Sequence, residues 1–331
     1  MSYQLIIGDC IDSLPRIPDG SVNCCVTSPP YFGLRDYGVD GQIGLEQTPE
    51  EHVAKMVEVF REVRRVLRDD GTLWLNIGDS YANGGRKTRD SDSKLQQRGM
   101  GTRPADGEGV KQKDLIGIPW MLTFALRADG WYLRQEIIWH KPNPMPESVK
   151  DRCTKAHEQI FLLSKSPRYY FDSEAMKEDA VGGQTGKAAS FKREGSKREQ
   201  TIPGQAYGTH RPEREDVAYN GEKRNRRSVW SVATRPYKGA HFATFPPALI
   251  EPCILAGCPA GGVVLDPFGG SGTTAGVAVA HGRKAIICEL NPEYGKLVHE
   301  RVNSIASIAS KGPDLSERIQ KQCDLFDEDA A

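Results

Sequence analysis

The sequence predicts an α/β protein built on a doubly wound, mostly parallel sheet of seven strands. Three observations predict it. Short runs of strand-forming residues alternate with helix-period patterns along the chain. Several of these runs are near-continuous apolar stretches, as strands covered on both faces require. One of them, 263–266, leads directly into a glycine-rich turn and a helix of small residues, the arrangement by which such a sheet brings its backbone up to a ligand.

The strands are expected at 4–7, 22–27, 72–77, 134–139, 159–163, 263–266 and 284–289. Between the second and third, Val53, Met56, Val57, Phe60, Val63, Val66 and Leu67 fall at helical spacing and form one apolar stripe. Thr48 is its N-cap, Pro49 suits the first turn, Glu51 completes a capping box, and Gly71 is expected to stop the helix before the next strand. A helix over 115–128 ends at Gly130. The last helix starts at Asn291-Pro292, with Tyr294, Leu297, Val298, Val302 and Ile305 on one face. Two stretches, 81–113 and about 173–228, show little periodicity and are rich in Gly, Ser, Arg, Lys and Gln. Loops this long inside a compact domain are usually functional or disordered.

Composition narrows the function. The 331 residues are 38% hydrophobic, enough for a substantial core. No run of about 18 apolar residues exists, so no membrane span is expected. The opening MSYQLIIGDC has no basic stretch and does not read as a signal peptide, so a cytoplasmic protein with reduced thiols is expected. Cys253 and Cys258 are read as core thiols, and no metal site is expected. The 44 basic and 44 acidic residues balance, which taken whole argues against a nucleic-acid binder. Their distribution argues the other way. The 81–113 stretch has eight Lys/Arg against four acids, and 177–228 has twelve against eight, whereas the tail after Pro313 has two against six.

Two motifs suggest chemistry. Asp266 ends a buried strand, and Pro267-Phe268-Gly269-Gly270-Ser271-Gly272-Thr273-Thr274 follows. Glycines permit close backbone approach, and the helix N-terminus beyond them favours an anion. Glu289, at the end of the next strand, is placed to accept hydrogen bonds from ribose hydroxyls. Taken alone, Gly270 to Ala275 also fits the loose GxGxxG/A dinucleotide pattern, so an NAD-linked oxidoreductase stays open here. The absence of a P-loop lysine disfavours triphosphate hydrolysis.

The second motif is Ser28-Pro29-Pro30-Tyr31, at the C-terminal end of strand 22–27, where open α/β sheets bind ligands. Two prolines stiffen an extended turn and remove two N–H donors beside free carbonyls. That suits a site that accepts hydrogen bonds from an amino group. The lone pair of an exocyclic base amine is delocalised into the ring. Acceptors at Ser28 and the Pro29 carbonyl would favour a pyramidal nitrogen with its lone pair free. Tyr31 would stack on the base once it is swung out of the duplex. Alone, such a turn is more often a plain surface feature.

Together, Thr-Ser-Pro-Pro-Tyr and Asp-Pro-Phe-Gly-Gly-Ser-Gly-Thr-Thr resemble the amino-group DNA methyltransferases. The catalytic turn comes first and the cofactor turn last, which resembles the circularly permuted beta group of that family. The resemblance implies a Rossmann-like methyltransferase fold, permuted, with an inserted target recognition region. It also implies S-adenosylmethionine as cofactor. Residues 28 to 31 match the catalytic motif, and Phe268, Gly270 and Gly272 match the cofactor motif, beside Asp266 and Thr273. Asp9 matches the acid near the cofactor adenine and Glu289 the ribose acid. Phe245, in HFATFPPALI, falls in the segment that packs beside the methionine end. Residues 138–143, IWHKPN, resemble a further family segment of less certain role.

The implied organisation is a catalytic half over 1–172 with the basic loop, a recognition insert over 173–235, a cofactor half over 236–310 and an acidic tail over 311–331. In the insert, Tyr207, Tyr219 and Trp230 lie among arginines that include Arg193, Arg211, Arg214, Arg224, Arg226 and Arg227, the last three expected to contact DNA. Protein-glutamine methyltransferases have a similar Pro-Pro-Tyr turn, but there the cofactor motif comes first. Ser in the first position is more typical of cytosine-N4 enzymes and Asp of adenine-N6 enzymes, so cytosine N4 is favoured and adenine N6 is the alternative. Cytosine C5 is disfavoured: it needs a cysteine nucleophile, and Tyr31 stands after Pro-Pro, with Cys24 and Cys25 in the strand. The expected partner is double-stranded DNA. A second copy of the chain and a cognate restriction endonuclease are further candidates, and a DNA-binding protein without catalysis is the remaining rival.

Overall fold

A computed structural model describes residues 2–34, 38–39, 41–82, 109–180, 223–234 and 245–309. Most of the basic loop 81–113, the insert arginines before 223 with Tyr207 and Tyr219, and the acidic tail lie outside the described residues. The chain divides into two compact units, Met1–Ala175 with Arg227–Ala331, and Met176–Arg226.

The first unit contains an eight-stranded sheet. Its strands are β1 (Tyr3–Ile7), β2 (Val22–Thr27), β3 (Leu67–Ile77), β4 (Tyr132–His140), β5 (His157–Ser164), β8 (Val229–Ser231), β9 (Val263–Asp266) and β10 (Lys284–Glu289). Their order is β1-β10-β9-β2-β3-β5-β4-β8. All pairings are parallel except those of β5, which runs against both β3 and β4. All seven expected strands are present. The eighth, β8, is three residues long and falls inside the expected insert, because Val229 to Ser231 pair with Ile138 to His140. The expected insert 173–235 is therefore wider than the second unit. That unit contains a two-stranded ladder, β6 (Lys177–Asp179) with β7 (Lys223–Asn225).

Helices cover both faces of the sheet. Helix α2 (Pro49–Val66) and helix α3 (Ile118–Ala128) bury Val63 and Leu122 in one core with Cys25, Leu73 and Leu75. The alternate residues Cys24, Thr72 and Trp74 meet Gly257, the last residue of α4 (Pro247–Gly257), where an added Cβ would lie 2.6 Å from Trp74 Nε1. Helix α5 (Thr273–Ala280) and helix α6 (Pro292–Ala309) pack together, and α1 (Cys10–Ser13) is a single short turn.

Thr48 caps α2, its Oγ1 accepting from Glu51 N at 3.2 Å, while Glu51 reaches back to Gln47 N at 3.0 Å. Gly71 does not stop this helix. The chain passes from Val66 directly into β3, and Gly71 sits in an irregular stretch where two residues of β2 are matched by five of β3, from Val22↔Leu67 to Cys24↔Thr72. Helix α3 begins at Ile118 rather than 115. The carboxylate of Asp79 accepts from Gly117 N and Ile118 N at 3.0 Å, fixing the first turn there, and Leu115 is bridged to Tyr81.

Candidate active site

Parallel strands put their C-terminal ends on one edge, and that edge bears the site. Thr27 ends β2, Asp266 ends β9, Glu289 ends β10, and Gly8-Asp9 follows β1. Above them lies a cavity of about 930 Å³. Asp9, Ser28, Pro29, Pro30, Tyr31, Phe245, Asp266, Phe268, Gly270, Thr273 and Glu289 all line it. Gly272 instead faces α6: its φ is +84°, and a Cβ there would stand 2.9 Å from Val298 Cγ1. It serves the turn into α5 and the packing of α5 on α6.

The carboxylates organise the turns. Asp266 is 2% exposed. Its Oδ1 accepts from Thr27 Oγ1 at 2.6 Å and from Phe268 N at 3.0 Å, and its Oδ2 from Thr274 Oγ1 at 2.7 Å. Burial pushes its pKa up against these three donors, which favour the charged form. Glu289 Oε2 accepts from Gly270 N at 2.7 Å and Oε1 from Asn291 N at 2.8 Å. Burial raises its pKa to about 7, with the two N–H donors opposing and Asp266 adding to the rise. Asp9 accepts from Ile11 N at 2.9 Å, capping α1 while it lines the cavity.

The site fits an S-adenosylmethionine-sized ligand. Ser271 Oγ and Thr273 Oγ1 are buried at the cavity and lack a hydrogen-bond partner among the described residues. Both sit at the N-terminus of α5, where a carboxylate is favoured. Glu289 retains acceptor lone pairs for ribose hydroxyls.

Tyr31 is held on two sides. Its ring lies on Gly78, where an added Cβ would come within 2.6 Å of Cε2. Its hydroxyl donates to Glu158 Oε2 at 2.8 Å. Glu158 Oε1 binds the ammonium of Lys141, which lies 4.3 Å from the Trp139 ring centroid. Asn76 and Lys155 complete this part of the lining. Glu158, Lys141, Lys155 and Asn76 are among the cavity residues that sequence reasoning did not single out, and Ser271 was quoted only as part of the glycine turn. Lys141 lay in the resemblance to IWHKPN, the one signal that could have found it.

Arg224 pairs with Glu178 at 2.9 Å within the second unit, Arg226 is half-buried, and Arg227, in the first unit, is exposed. Among the described residues no group of acids, cysteines and histidines could hold a metal, and no helix is long and apolar enough to cross a membrane. Cys24, Cys25, Cys253 and Cys258 are buried free thiols, and burial raises the pKa of Cys24 and Cys25 well above the usual range, unlike a reactive nucleophile.

Fold and site together define an α/β protein whose Ser28–Tyr31 turn, glycine turn and Glu289 share one cavity at the C-terminal edge of the sheet. A family model described as DNA methylase matches residues 22–300. The Type II methyltransferase M.SmaI of Serratia marcescens is 48% identical over 301 residues, 91% of this chain and 91% of that protein. M.Cfr9I of Citrobacter freundii, also a Type II methyltransferase, is 49% identical over 298 residues, 90% and 87% of the two chains. The solved PvuII DNA methyltransferase (cytosine-N4-specific) superposes with a TM-score of 0.59 at 18% identity, covering 95% of this chain and 94% of that one. A DNA modification methylase of Thermus thermophilus, TTHA0409, solved as a complex with S-adenosyl-L-methionine and described as putative, gives 0.55 at 23% identity, covering 91% and 93%. These two likenesses establish the shared fold. The chain belongs to the DNA methylase family of N6/N4 amino-methyltransferases.

Proposed function

We propose that the protein methylates the N4 amine of a cytosine turned out of double-stranded DNA. The observation that supports this most is the Ser28–Tyr31 turn opening into the same cavity as the glycine turn and Glu289. S-adenosylmethionine is the cofactor, and its sulfonium supplies the methyl group. Ser28 and the Pro29 carbonyl accept the amine hydrogens, and the Tyr31 ring stacks on the base. The serine hydroxyl at residue 28, where adenine-N6 enzymes more typically have a carboxylate, favours cytosine. Arg224, Arg226 and Arg227, with the basic 81–113 loop, contact DNA. The M.SmaI likeness suggests a restriction endonuclease of matching specificity as a functional partner.

The test is methyl transfer from labelled S-adenosylmethionine to duplex DNA, followed by mass analysis of nucleosides and methylation-aware sequencing. N4-methylcytosine at one short sequence is expected. N6-methyladenine in its place overturns the base assignment.

A further inference from the structure

The cavity wall beyond Tyr31 is polar and is not used by the glycine turn. Glu158 is its centre, with Oε2 accepting from Tyr31 at 2.8 Å and Asn76 Nδ2 at 3.4 Å and Oε1 binding Lys141. Lys155, two residues before β5, lines the same cavity. Its hydrogen bond among the described residues goes to the Asp79 carbonyl at 3.2 Å. An ammonium has three N–H donors, so two remain for a ligand. Burial lowers the pKa of Lys155 and Lys141 adds to this, while Asp79, Glu158 and Glu147 oppose it. A partly desolvated ammonium with spare donors is costly until an acceptor arrives.

Cytosine and adenine both present an amine beside a ring nitrogen acceptor. They differ at the next position along the pairing edge, where cytosine has the O2 carbonyl and adenine a carbon-bound hydrogen. We propose that Lys155, held by its hydrogen bond to the Asp79 carbonyl, donates to O2 of the flipped base and so selects cytosine over adenine. This rests on the cytosine-N4 reading. Opposite adenine, the spare donors of this half-buried ammonium would face a carbon-bound hydrogen, a mismatch that discriminates better than shape alone.

The experiment is single-turnover methyl transfer on duplexes with cytosine or 2-thiocytosine at the mapped target position, sulfur being the poorer acceptor. The parent protein is expected to slow by about tenfold on the thio base, the loss of one good hydrogen bond. Lys155→Met is expected to be slow on both bases, with the thio penalty gone and S-adenosylmethionine affinity retained by calorimetry. A thio penalty in Lys155→Met equal to the parent's overturns the proposal, as does a parent that shows none while still making N4-methylcytosine. A parent that makes N6-methyladenine overturns this proposal and the base assignment together. Should Lys155→Met fail to bind cofactor, Lys155→Gln keeps an N–H donor without the charge. Its thio penalty should fall below the parent's, and an unchanged penalty overturns the proposal.

Discussion

Replacing Glu289 with glutamine should remove a pH dependence from cofactor binding. Glu289 is 9% exposed, and burial holds its pKa at about 7, above the ordinary 4.5. Ribose hydroxyls donate to the charged carboxylate better than to the acid. With a pKa of about 7, roughly one carboxyl in ten is ionised at pH 6 and roughly nine in ten at pH 8. S-adenosylmethionine affinity should therefore rise by about tenfold across that interval, about 1.4 kcal/mol. Stability runs the opposite way. A carboxyl whose folded pKa is raised favours the native state below the unfolded value and loses that advantage as pH rises through the folded one. Between pH 4.5 and about 7 the native state binds the extra proton, so the ligand-free protein should lose on the order of 3 kcal/mol across the window. Calorimetric titration at pH 6, 7 and 8, with thermal unfolding at pH 5 and 8, reads both trends. In Glu289→Gln the affinity slope should flatten, leaving only what the ligand's own amine contributes, and the unfolding midpoint should depend less on pH. An affinity slope equal in parent and variant would refute the carboxylate as the titrating group.

Tyr31→Ala should slow methyl transfer by about 5- to 150-fold, from lost stacking worth roughly 1–3 kcal/mol, with cofactor affinity nearly intact. Tyr31→Phe, which keeps the ring and loses the bond to Glu158, should stay within about tenfold of the parent; both are read by single-turnover kinetics beside calorimetry. Gly78→Ala puts a Cβ 2.6 Å from Tyr31 Cε2, so it should lower the transfer rate without changing cofactor affinity, and a parent-like rate would mean the ring yields freely. Gly272→Ala combines a φ of +84° with a 2.9 Å approach to Val298, so it should cost about 1–3 kcal/mol, measured by chemical denaturation. Alanines at Arg224, Arg226 and Arg227 should weaken DNA binding and flatten its salt slope by about one unit for each phosphate no longer neutralised.

The parts of this protein that were legible in its sequence are those whose signal is contiguous. Strand 22–27 shows itself as an apolar run and the Ser-Pro-Pro-Tyr turn follows without a break, so Ser28 to Tyr31 needed no tertiary information. The same holds from Val263 through Thr274. The illegible residues reach the site by topology. Glu158 is the second residue of β5, and because β5 runs antiparallel its beginning lies at the edge where the parallel strands end, with Gln159 opposite Ile77. No local pattern marks that reversal, and Glu158 and Lys155 read as ordinary polar residues near a strand start. Strand β8 was missed because three residues have no measurable period. Gly71 was misplaced as a helix stop because an irregularity in β3 shows the same isolated glycine that a helix end would.

Asp266 explains why the order of the motifs along the chain is unimportant to the chemistry. Thr27 precedes the Ser-Pro-Pro-Tyr turn and Thr274 follows the glycine turn, yet both hydroxyls end on the same buried carboxylate. Each bond to a charged acceptor contributes about 1.5–3 kcal/mol, enough to hold two turns from opposite ends of the sequence in one geometry. What the reaction requires is that β2 and β9 be neighbours with parallel ends, and Cys24↔Val264 and Cys25↔Leu265 establish that pairing. A chain could enter this sheet at β9 or at β2 and still bring the Ser28–Tyr31 turn beside the glycine turn. The permuted order therefore leaves the site intact and opens a different connection, between β5 and β9, as the place where a long insert can be accommodated without disturbing the joint at Asp266.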